Sequence, residues 1–282
     1  MSRLRAAAAV LVLGALAAWG AQGARPPAAS RPAPVSRGAA GGPGFVRVPV
    51  AGAPPVAGMP WFLTIGDSIT FGYTRDPQLA GTNISWAGVL ERRLAAGGRR
   101  WRLFDIACPG ESTVSYPQRC PGRRQMPLLA GRSQRAVALD AIAAHGADLR
   151  LIVVALGAND LLQALRADAT ITQVDLIAHL EAILTDLRAA APGVPIVVAG
   201  MYNPFALASP RTEADLAPID AAIAALGARL GDPYADFHAA INQPSDGAPL
   251  CSLVDCADLD IHPTTLGQQR LAQSVLGVIP GP

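Results

Sequence analysis

The sequence predicts an α/β fold, a three-layer α/β/α sandwich around a mainly parallel, five-stranded sheet. Short apolar segments alternate with longer amphipathic segments along the chain. The short segments are almost continuously hydrophobic, which is typical of strands covered on both faces of a parallel sheet. Alternation of this kind also predicts right-handed crossover connections between neighbouring strands.

Ten segments justify this prediction in detail. The predicted strands are residues 61–65, 101–107, 149–156, 194–200 and 233–237, of which the third is almost entirely apolar and the last is weak. The predicted helices, each with apolar residues at helical spacing, are residues 85–96, 133–145, 172–190, 213–230 and 264–276.

The first sixty residues lack the pattern of packed structure. Residues 1–24 carry Arg3 and Arg5, then an apolar run and small residues, which is the layout of a secretory signal peptide. The run is shorter than the roughly 18 apolar residues that span a bilayer, so a retained anchor is the weaker alternative. Residues 25–59 are rich in Pro, Ala and Gly and are expected to form a disordered linker. Residues 60–282 then form one domain, which we expect to be secreted or extracytoplasmic, in the cell envelope.

Composition narrows the range of partners. The formal net charge is +2, every basic side chain is an arginine, and only 5% of residues are aromatic. These values argue against nucleic-acid binding. Because the chain has no H-E-x-x-H, P-loop or G-x-G-x-x-G motif, we expect neither a cofactor nor a metal. We expect a monomer without a stable membrane span.

The four cysteines are Cys108, Cys120, Cys251 and Cys256. An even number in an exported chain favours disulfide bonds, although four cysteines allow three pairings. We favour the local pairs, Cys108 with Cys120 and Cys251 with Cys256, because each closes a loop within one connection. The spacing that a zinc site requires is absent.

Glycine and polar residues follow the first three predicted strands. They are residues 66–69 (GDSI), 108–112 (CPGES) and 157–160 (GAND), and His262 precedes the last predicted helix. Active sites of open parallel sheets lie beyond the carboxyl ends of the strands. The sequence therefore predicts that these residues meet at one edge of the sheet.

Ser68 is the candidate nucleophile, since a serine hydroxyl becomes reactive when a neighbouring base takes its proton. The alternative is that Ser68 only caps a helix. Among the four histidines, His145 is expected at a helix end, His179 at a helix surface or in packing, and His238 has no assigned role. His262 precedes Pro263 and the last predicted helix.

The ordered blocks together resemble the signature of the SGNH/GDSL hydrolases. These blocks are Gly66-Asp67-Ser68, Gly110, Gly157-x-Asn159-Asp160 and His262-Pro263. Residues 107–113 also resemble a subgroup of exported bacterial members. The resemblance implies a flavodoxin-like SGNH fold, with Ser68 as nucleophile and His262 as the candidate general base. It also implies Ser68, Gly110 and Asn159 as donors of the oxyanion hole. Asn159 is expected at a strand end without a charged partner, its alternative role being that of a loop former.

The acid of the triad departs from the family spacing. An Asp-x-x-His pattern would place the acid at Leu259, whereas Asp260 and Asp258 stand two and four residues before His262. We prefer Asp260. Asp258 and a backbone carbonyl stay open as alternatives, because either could orient the imidazole.

The resemblance implies an exported serine esterase or lipase that acts on a small-molecule ester, a lipid or an acetylated sugar. Two alternatives stay open. The first is a carbohydrate O-acetyl esterase with the same fold. The second is a catalytically inactive envelope protein that retains the fold for binding.

Overall fold

A computed structural model of the chain describes residues 54–74, 83–122, 124–129, 131–165, 171–209, 211–256 and 260–281. The strands within these ranges are β1 (Trp61–Gly66), β2 (Arg102–Asp105), β3 (Leu149–Ala155), β4 (Ile196–Ala199) and β5 (Tyr234–Ala235). The α-helices within them are α1 (Ser68–Phe71), α2 (Trp86–Ala96), α3 (Gln134–His145), α4 (Ala158–Leu165), α5 (Gln173–Ala190), α6 (Arg211–Leu230), α7 (Phe237–Asn242), α8 (Leu250–Leu253) and α9 (Thr265–Val278).

The five strands form one sheet in the order β2-β1-β3-β4-β5, and every neighbouring pair is parallel. The predicted fold class is therefore confirmed. From β1 the chain first adds β2 on one side and later adds β3, β4 and β5 on the other. The carboxyl ends of β1 and β3 consequently flank a topological switch point, where open α/β sheets bind their ligands.

Two apolar layers enclose the sheet because successive side chains of a strand point to opposite faces. In β1, Leu63 and Ile65 pack with residues of α3, α5 and α6. Phe62 points to the other face and packs with α2, α7, α8 and α9. Each fully buried side chain of this size contributes about 2 kcal/mol relative to an exposed one, so both layers stabilise the sheet.

Ser or Thr side chains fix the start of four helices. Ser85 accepts a hydrogen bond from the N–H of Gly88, and Ser133, Thr172 and Thr264 cap α3, α5 and α9 in the same way. At α5 the N–H of Thr172 also donates to Asp175, which completes a capping box. A cap of this kind stabilises a helix by about 1 kcal/mol, which explains why each of these helices begins one residue beyond the predicted position.

Some predicted strand boundaries were wrong. The prediction extended the second strand to residue 107, whereas β2 ends at Asp105. The reason is local: Asp105 Oδ1 accepts hydrogen bonds from the N–H of Ala107 and from the hydroxyl of Thr64, so the chain turns out of the strand there. β5 has two residues, in agreement with its weak signal.

Part of the predicted N-terminal organisation lies outside the described residues. This applies to the predicted signal peptide, residues 1–24, and to residues 25–53 of the predicted linker. At Gly58, within that linker, the N–H already donates to Asp148 Oδ2 at 2.6 Å. Among the described residues, no helix is both long and apolar enough to cross a membrane.

Both local cysteine pairs lie at disulfide distance. The Cα atoms are 5.9 Å apart for Cys108 and Cys120 and 5.3 Å apart for Cys251 and Cys256. The pairs are those that the sequence favours. Each adjoins a candidate site segment, since Cys108 stands two residues before Gly110 and Cys256 stands four before Asp260.

Candidate active site

Ser68 is the first residue of α1, directly beyond the carboxyl end of β1. Asp67 is the N-cap of this helix, and its Oδ1 accepts the N–H of Ile69 at 2.8 Å. The cap is therefore Asp67 and not Ser68, whose hydroxyl is left for another contact. Glycine is required at position 66, because a Cβ there would lie 2.1 Å from Thr70 Oγ1.

His262 contacts Ser68 on one side of its ring and Asp260 on the other. Its Nε2 lies 2.9 Å from Ser68 Oγ, and its Nδ1 contacts Asp260 Oδ1. The same carboxylate oxygen accepts the backbone N–H of His262 at 3.1 Å. With the ring proton on Nδ1, facing the carboxylate, Nε2 is free to accept the serine proton. Asp258, the alternative acid, lies outside the described residues.

The segment that carries His262 is fixed on several sides. The carbonyl of His262 accepts the N–H of Asp255 at 2.9 Å, within a short antiparallel bridge. The hydroxyl of the buried Tyr202 donates to the carbonyl of Ile261. The ring of Tyr73 packs against the imidazole, with 4.4 Å between the ring centroids. These contacts restrict the orientation of the imidazole.

Three hydrogen-bond donors lie at the ends of three different strands. Gly110, after β2, has φ +81°, a conformation that other residues rarely adopt. Among the described residues, neither the N–H of Gly110 nor that of Ser68 has a hydrogen-bond acceptor. Asn159 lies in the first turn of α4, after β3, and its Nδ2 donates to the carbonyl of Glu111 at 2.9 Å. The structure thus groups the predicted donors at one edge of the sheet.

The prediction for the surroundings of Asn159 was wrong. We expected an asparagine at a strand end without a charged partner, but Asn159 lies in the first turn of α4, and its Nδ2 also lies 3.3 Å from Asp67 Oδ2. The carboxylate of Asp67 therefore helps to orient the side-chain amide of Asn159. The sequence offered no signal of this contact, because Asp67 and Asn159 are 92 residues apart.

Buried carboxyl groups lie beneath the donors. Burial raises the pKa of Asp67 to about 6, against the opposing effects of the Ile69 N–H and the nearby His262. Burial likewise raises the pKa of Glu111 to about 7, although hydrogen bonds from Ser115 and Gln134 act in the opposite direction. The neighbouring carboxylates add to both increases, since like charges disfavour ionisation.

Asp160 connects α4 to the segment after β2. Its carboxylate accepts the N–H and the hydroxyl of Thr113, at 2.9 and 2.5 Å. Burial raises the pKa of this carboxyl too. Thr113 Oγ1 also lies 3.3 Å from His179 Nδ1, so His179 packs beside the site without contacting Ser68. The histidine without an assigned role, His238, pairs with Glu213.

Several residues of the site were not predicted. Glu111 directly follows the motif residue Gly110, and this position was the only indication in the sequence that Glu111 belongs to the site. Gln134 is the first residue of α3 and is fully buried, and a polar residue in the first turn of a helix does not by itself indicate a site. Tyr73 and Tyr202 reach His262 and its segment from loops, where periodicity gives no information.

Comparisons with known proteins concern the family and the fold of the chain. Residues 64–270 match the profile of the GDSL-like lipase/acylhydrolase family. A comparison with curated protein sequences gave no match.

Similar solved structures include an acetylxylan esterase, Axe2 from Geobacillus stearothermophilus, with 15% identity and a TM-score of 0.56 over 80% of this chain and 96% of that one. A putative GDSL-like lipase from Parabacteroides merdae has 14% identity and a TM-score of 0.55 over 80% and 99%. LAE5, an alpha/beta hydrolase enzyme from the metagenome of Lake Arreo, has 18% identity and a TM-score of 0.56 over 79% and 95%. At these identities the similarity establishes the fold.

Proposed function

Because the chain belongs to the GDSL-like lipase/acylhydrolase family and is a carboxylic ester hydrolase, we propose that it cleaves acyl esters with Ser68 as nucleophile and His262 as general base. The observation that carries the proposal is the 2.9 Å contact between Ser68 Oγ and His262 Nε2. The contact of Nδ1 with Asp260 supports it, since a carboxylate at that nitrogen stabilises the imidazolium.

In the first half of the reaction, Ser68 Oγ attacks the carbonyl carbon of the ester while its proton moves to His262 Nε2. The positive imidazolium is held by the carboxylate of Asp260. The tetrahedral intermediate then collapses, the bond to the alcohol oxygen breaks, and His262 Nε2 returns the proton to the departing alcohol. An acyl group remains on Ser68.

The negative charge of the tetrahedral intermediate requires donors that are already in place. The proposed donors are the N–H groups of Ser68 and Gly110 and the Nδ2 of Asn159. One hydrogen of this Nδ2 turns from Asp67 Oδ2, which is 3.3 Å away, to the oxyanion. A single preorganised donor of this kind is worth about 3 kcal/mol of barrier, or about a hundredfold in rate. In the second half of the reaction, His262 deprotonates a water that attacks the acyl-enzyme, and the same donors hold the second oxyanion. This intermediate collapses as the bond between the acyl carbon and Ser68 Oγ breaks, His262 returns the proton to Ser68 Oγ, and the carboxylic acid is released.

An intact hydrogen-bonded series from Ser68 to Asp260 favours the enzyme over the alternative of an inactive binding protein. We further propose that the protein is exported. The two disulfide pairs support export because such bonds persist in oxidising compartments, and the layout of residues 1–24 is that of a signal peptide.

The proposed substrate is a small-molecule ester, a lipid or an acetylated sugar. An acetylxylan esterase shares the fold, so removal of acetyl groups from carbohydrate is the second candidate. p-Nitrophenyl esters of increasing chain length, assayed beside acetylated xylo-oligosaccharides, separate the two. A preference for acetyl groups on sugar would favour the second candidate, and a preference for longer acyl chains the first.

The decisive variant is Ser68→Ala, with Ser274→Ala on the outer helix α9 as the matched control. We expect Ser68→Ala to abolish hydrolysis with unchanged circular dichroism, and Ser274→Ala to retain the activity of the wild type. Retention of activity by purified Ser68→Ala protein would refute the assignment.

A further inference from the structure

One buried side chain outside the proposed reaction connects the segments that carry its donors. Gln134 has no exposed surface. Its Oε1 accepts the N–H of Gly66 at 3.1 Å, and its Nε2 donates to the carbonyl of the same residue at 2.7 Å. The second N–H of its amide donates to Glu111 Oε2 at 2.8 Å. Both amide hydrogens and the amide oxygen are therefore used.

Glu111 extends this connection to the other donors. Its carboxylate, also fully buried, accepts hydrogen bonds from Gln134 and from the hydroxyl of Ser115. Its backbone carbonyl accepts Nδ2 of Asn159 at 2.9 Å. Glu111 directly follows Gly110 in the chain. The contacts that fix the side chain of Glu111 therefore also restrict the backbone of Gly110, whose N–H is a proposed donor.

The arrangement needs an explanation beyond packing. Polar groups are costly to bury unless they are hydrogen-bonded, so an apolar side chain at position 134 would give α3 a simpler contact with the sheet. Gln134 instead links Gly66 to Glu111 by hydrogen bonds. Gly66 is the last residue of β1, two residues before Ser68, and Glu111 lies in the segment after β2. Hydrogen bonds among buried groups also strengthen one another, which makes the connection rigid.

We propose that Gln134 and Glu111 are positioning residues that set the spacing of the oxyanion hole. Gln134 holds the end of β1 against Glu111, and Glu111 holds Gly110 beside Asn159. The inference rests on the proposed function, since it concerns the donors of that reaction. Neither side chain contacts Ser68 or His262, and each acts through the backbone that it fixes.

The test uses Gln134→Leu and Glu111→Leu, which keep most of the volume and remove the hydrogen bonds. It also uses Glu111→Gln, which removes the charge: the amide oxygen accepts from Gln134, and the amide N–H donates to Ser115 Oγ, which then acts as the acceptor. Kinetics with a p-nitrophenyl ester are measured on the full-length protein, with the thermal midpoint of each variant. We expect each leucine variant to lower kcat about a hundredfold with little change in KM, because a small misplacement of a catalytic group has an effect of that size. We expect Glu111→Gln to restore kcat to near the wild-type value.

Leu187→Ala is the control for lost stability. Leu187 is fully buried near the end of α5, about two turns beyond His179. We expect it to lower the thermal midpoint and leave kcat unchanged.

Two results would overturn the proposal. The first is a leucine variant that folds and retains the kcat of the wild type. The second is a Glu111→Gln variant as impaired as Glu111→Leu, which would assign the effect to charge and not to positioning. If a leucine variant does not fold, Glu111→Gln and the other leucine variant decide the question. Wild-type protein without Ser68-dependent turnover would instead refute the proposed function, and this result is distinct because the wild type itself is inactive.

Discussion

At the scale of single residues, the candidate site depends on contacts between side chains that are far apart in the chain. Ser68 and His262 are separated by 194 positions, yet their side chains lie 2.9 Å apart. Each has local support: Asp67 caps the helix that Ser68 begins, and Asp260 accepts both the backbone N–H and Nδ1 of His262. Local capping and turn contacts therefore orient each side chain of the pair, and the sheet places the two side chains together.

The identity of the triad acid can be tested directly. We expect Asp260→Asn to lower kcat about a thousandfold or more, because an amide at this position favours the wrong imidazole tautomer and does not stabilise the imidazolium. Asp258→Asn is the matched comparison and is expected to retain activity. Hydrolysis of a p-nitrophenyl ester by both purified variants is the measurement. The reverse order of activities would assign the acid to Asp258.

The buried carboxyl of Glu111 predicts a dependence of stability on pH. Its pKa is raised from 4.5 to about 7 in the folded protein, so its neutral form is favoured there. The resulting stabilisation is complete below pH about 4.5 and is lost as the pH rises through about 7. Over that window we expect the wild type to lose about 3 kcal/mol relative to Glu111→Gln, at 1.36 kcal/mol per pH unit.

Urea denaturation of both proteins at several pH values measures this difference. Asp67 and Asp160 titrate in both proteins, so their contributions largely cancel in the comparison. A difference in the free energy of unfolding that does not change with pH would show that Glu111 keeps an ordinary pKa in the folded protein.

At the scale of elements, the sequence predicted best those segments whose pattern reports burial. β1 and β3 were predicted to within a residue because both are almost continuously apolar and covered on two faces. The first residues of the predicted helices 85–96, 133–145 and 172–190 are the Ser and Thr caps of α2, α3 and α5. The short helices α4, α7 and α8 were not predicted, because segments of four to eight residues contain too few turns for a period to be recognised.

The disulfide between Cys251 and Cys256 adjoins the segment that carries His262, and its removal can be tested. Replacing Cys251 and Cys256 by alanine removes a short closed loop next to the bridge that holds His262. We expect a loss of about 2 kcal/mol in the free energy of unfolding. At temperatures where the variant is folded, we also expect kcat to be about tenfold lower than in the wild type, because the imidazole is less well oriented.

The second cysteine pair supplies the comparison for this measurement. Replacing Cys108 and Cys120 affects the segment of Gly110, so it is expected to lower kcat while His262 stays in place. The ring environment of His262, followed by NMR, separates the two cases. An unchanged His262 resonance and an unchanged kcat in the Cys251→Ala, Cys256→Ala protein would contradict the prediction.

At the scale of the whole molecule, the candidate site forms where three connections leave one edge of the sheet. Ser68, Gly110 and Asn159 follow β1, β2 and β3, so strand order alone explains why the ordered motifs meet. Their edge of the sheet was therefore predictable from the sequence. The contacts beneath them were not, because Gln134 approaches from a helix packed across β1 and no pattern in the chain reports which backbone group a buried amide will meet.

The last prediction concerns where the packed domain begins. The site residues and the family match, residues 64–270, all lie beyond residue 54 in the chain, so we expect a protein of residues 54–282 to retain the kcat and KM of the full chain. A protein of residues 60–282 lacks the hydrogen bond from Gly58 to Asp148. We expect it to be less stable by about 1 kcal/mol, the usual contribution of one such bond.

Asp148→Ala completes a double-mutant cycle for that bond. In residues 54–282 the substitution removes the acceptor and should have a cost similar to that of the truncation. In residues 60–282 it should have little further effect, because the partner is already missing and the two changes act on one interaction. Urea denaturation of the four proteins measures the coupling. Additive losses in the free energy of unfolding would show that the residues before 60 contribute nothing through this contact. A loss of activity in the protein of residues 54–282 would show that the chain before residue 54 belongs to the functional domain.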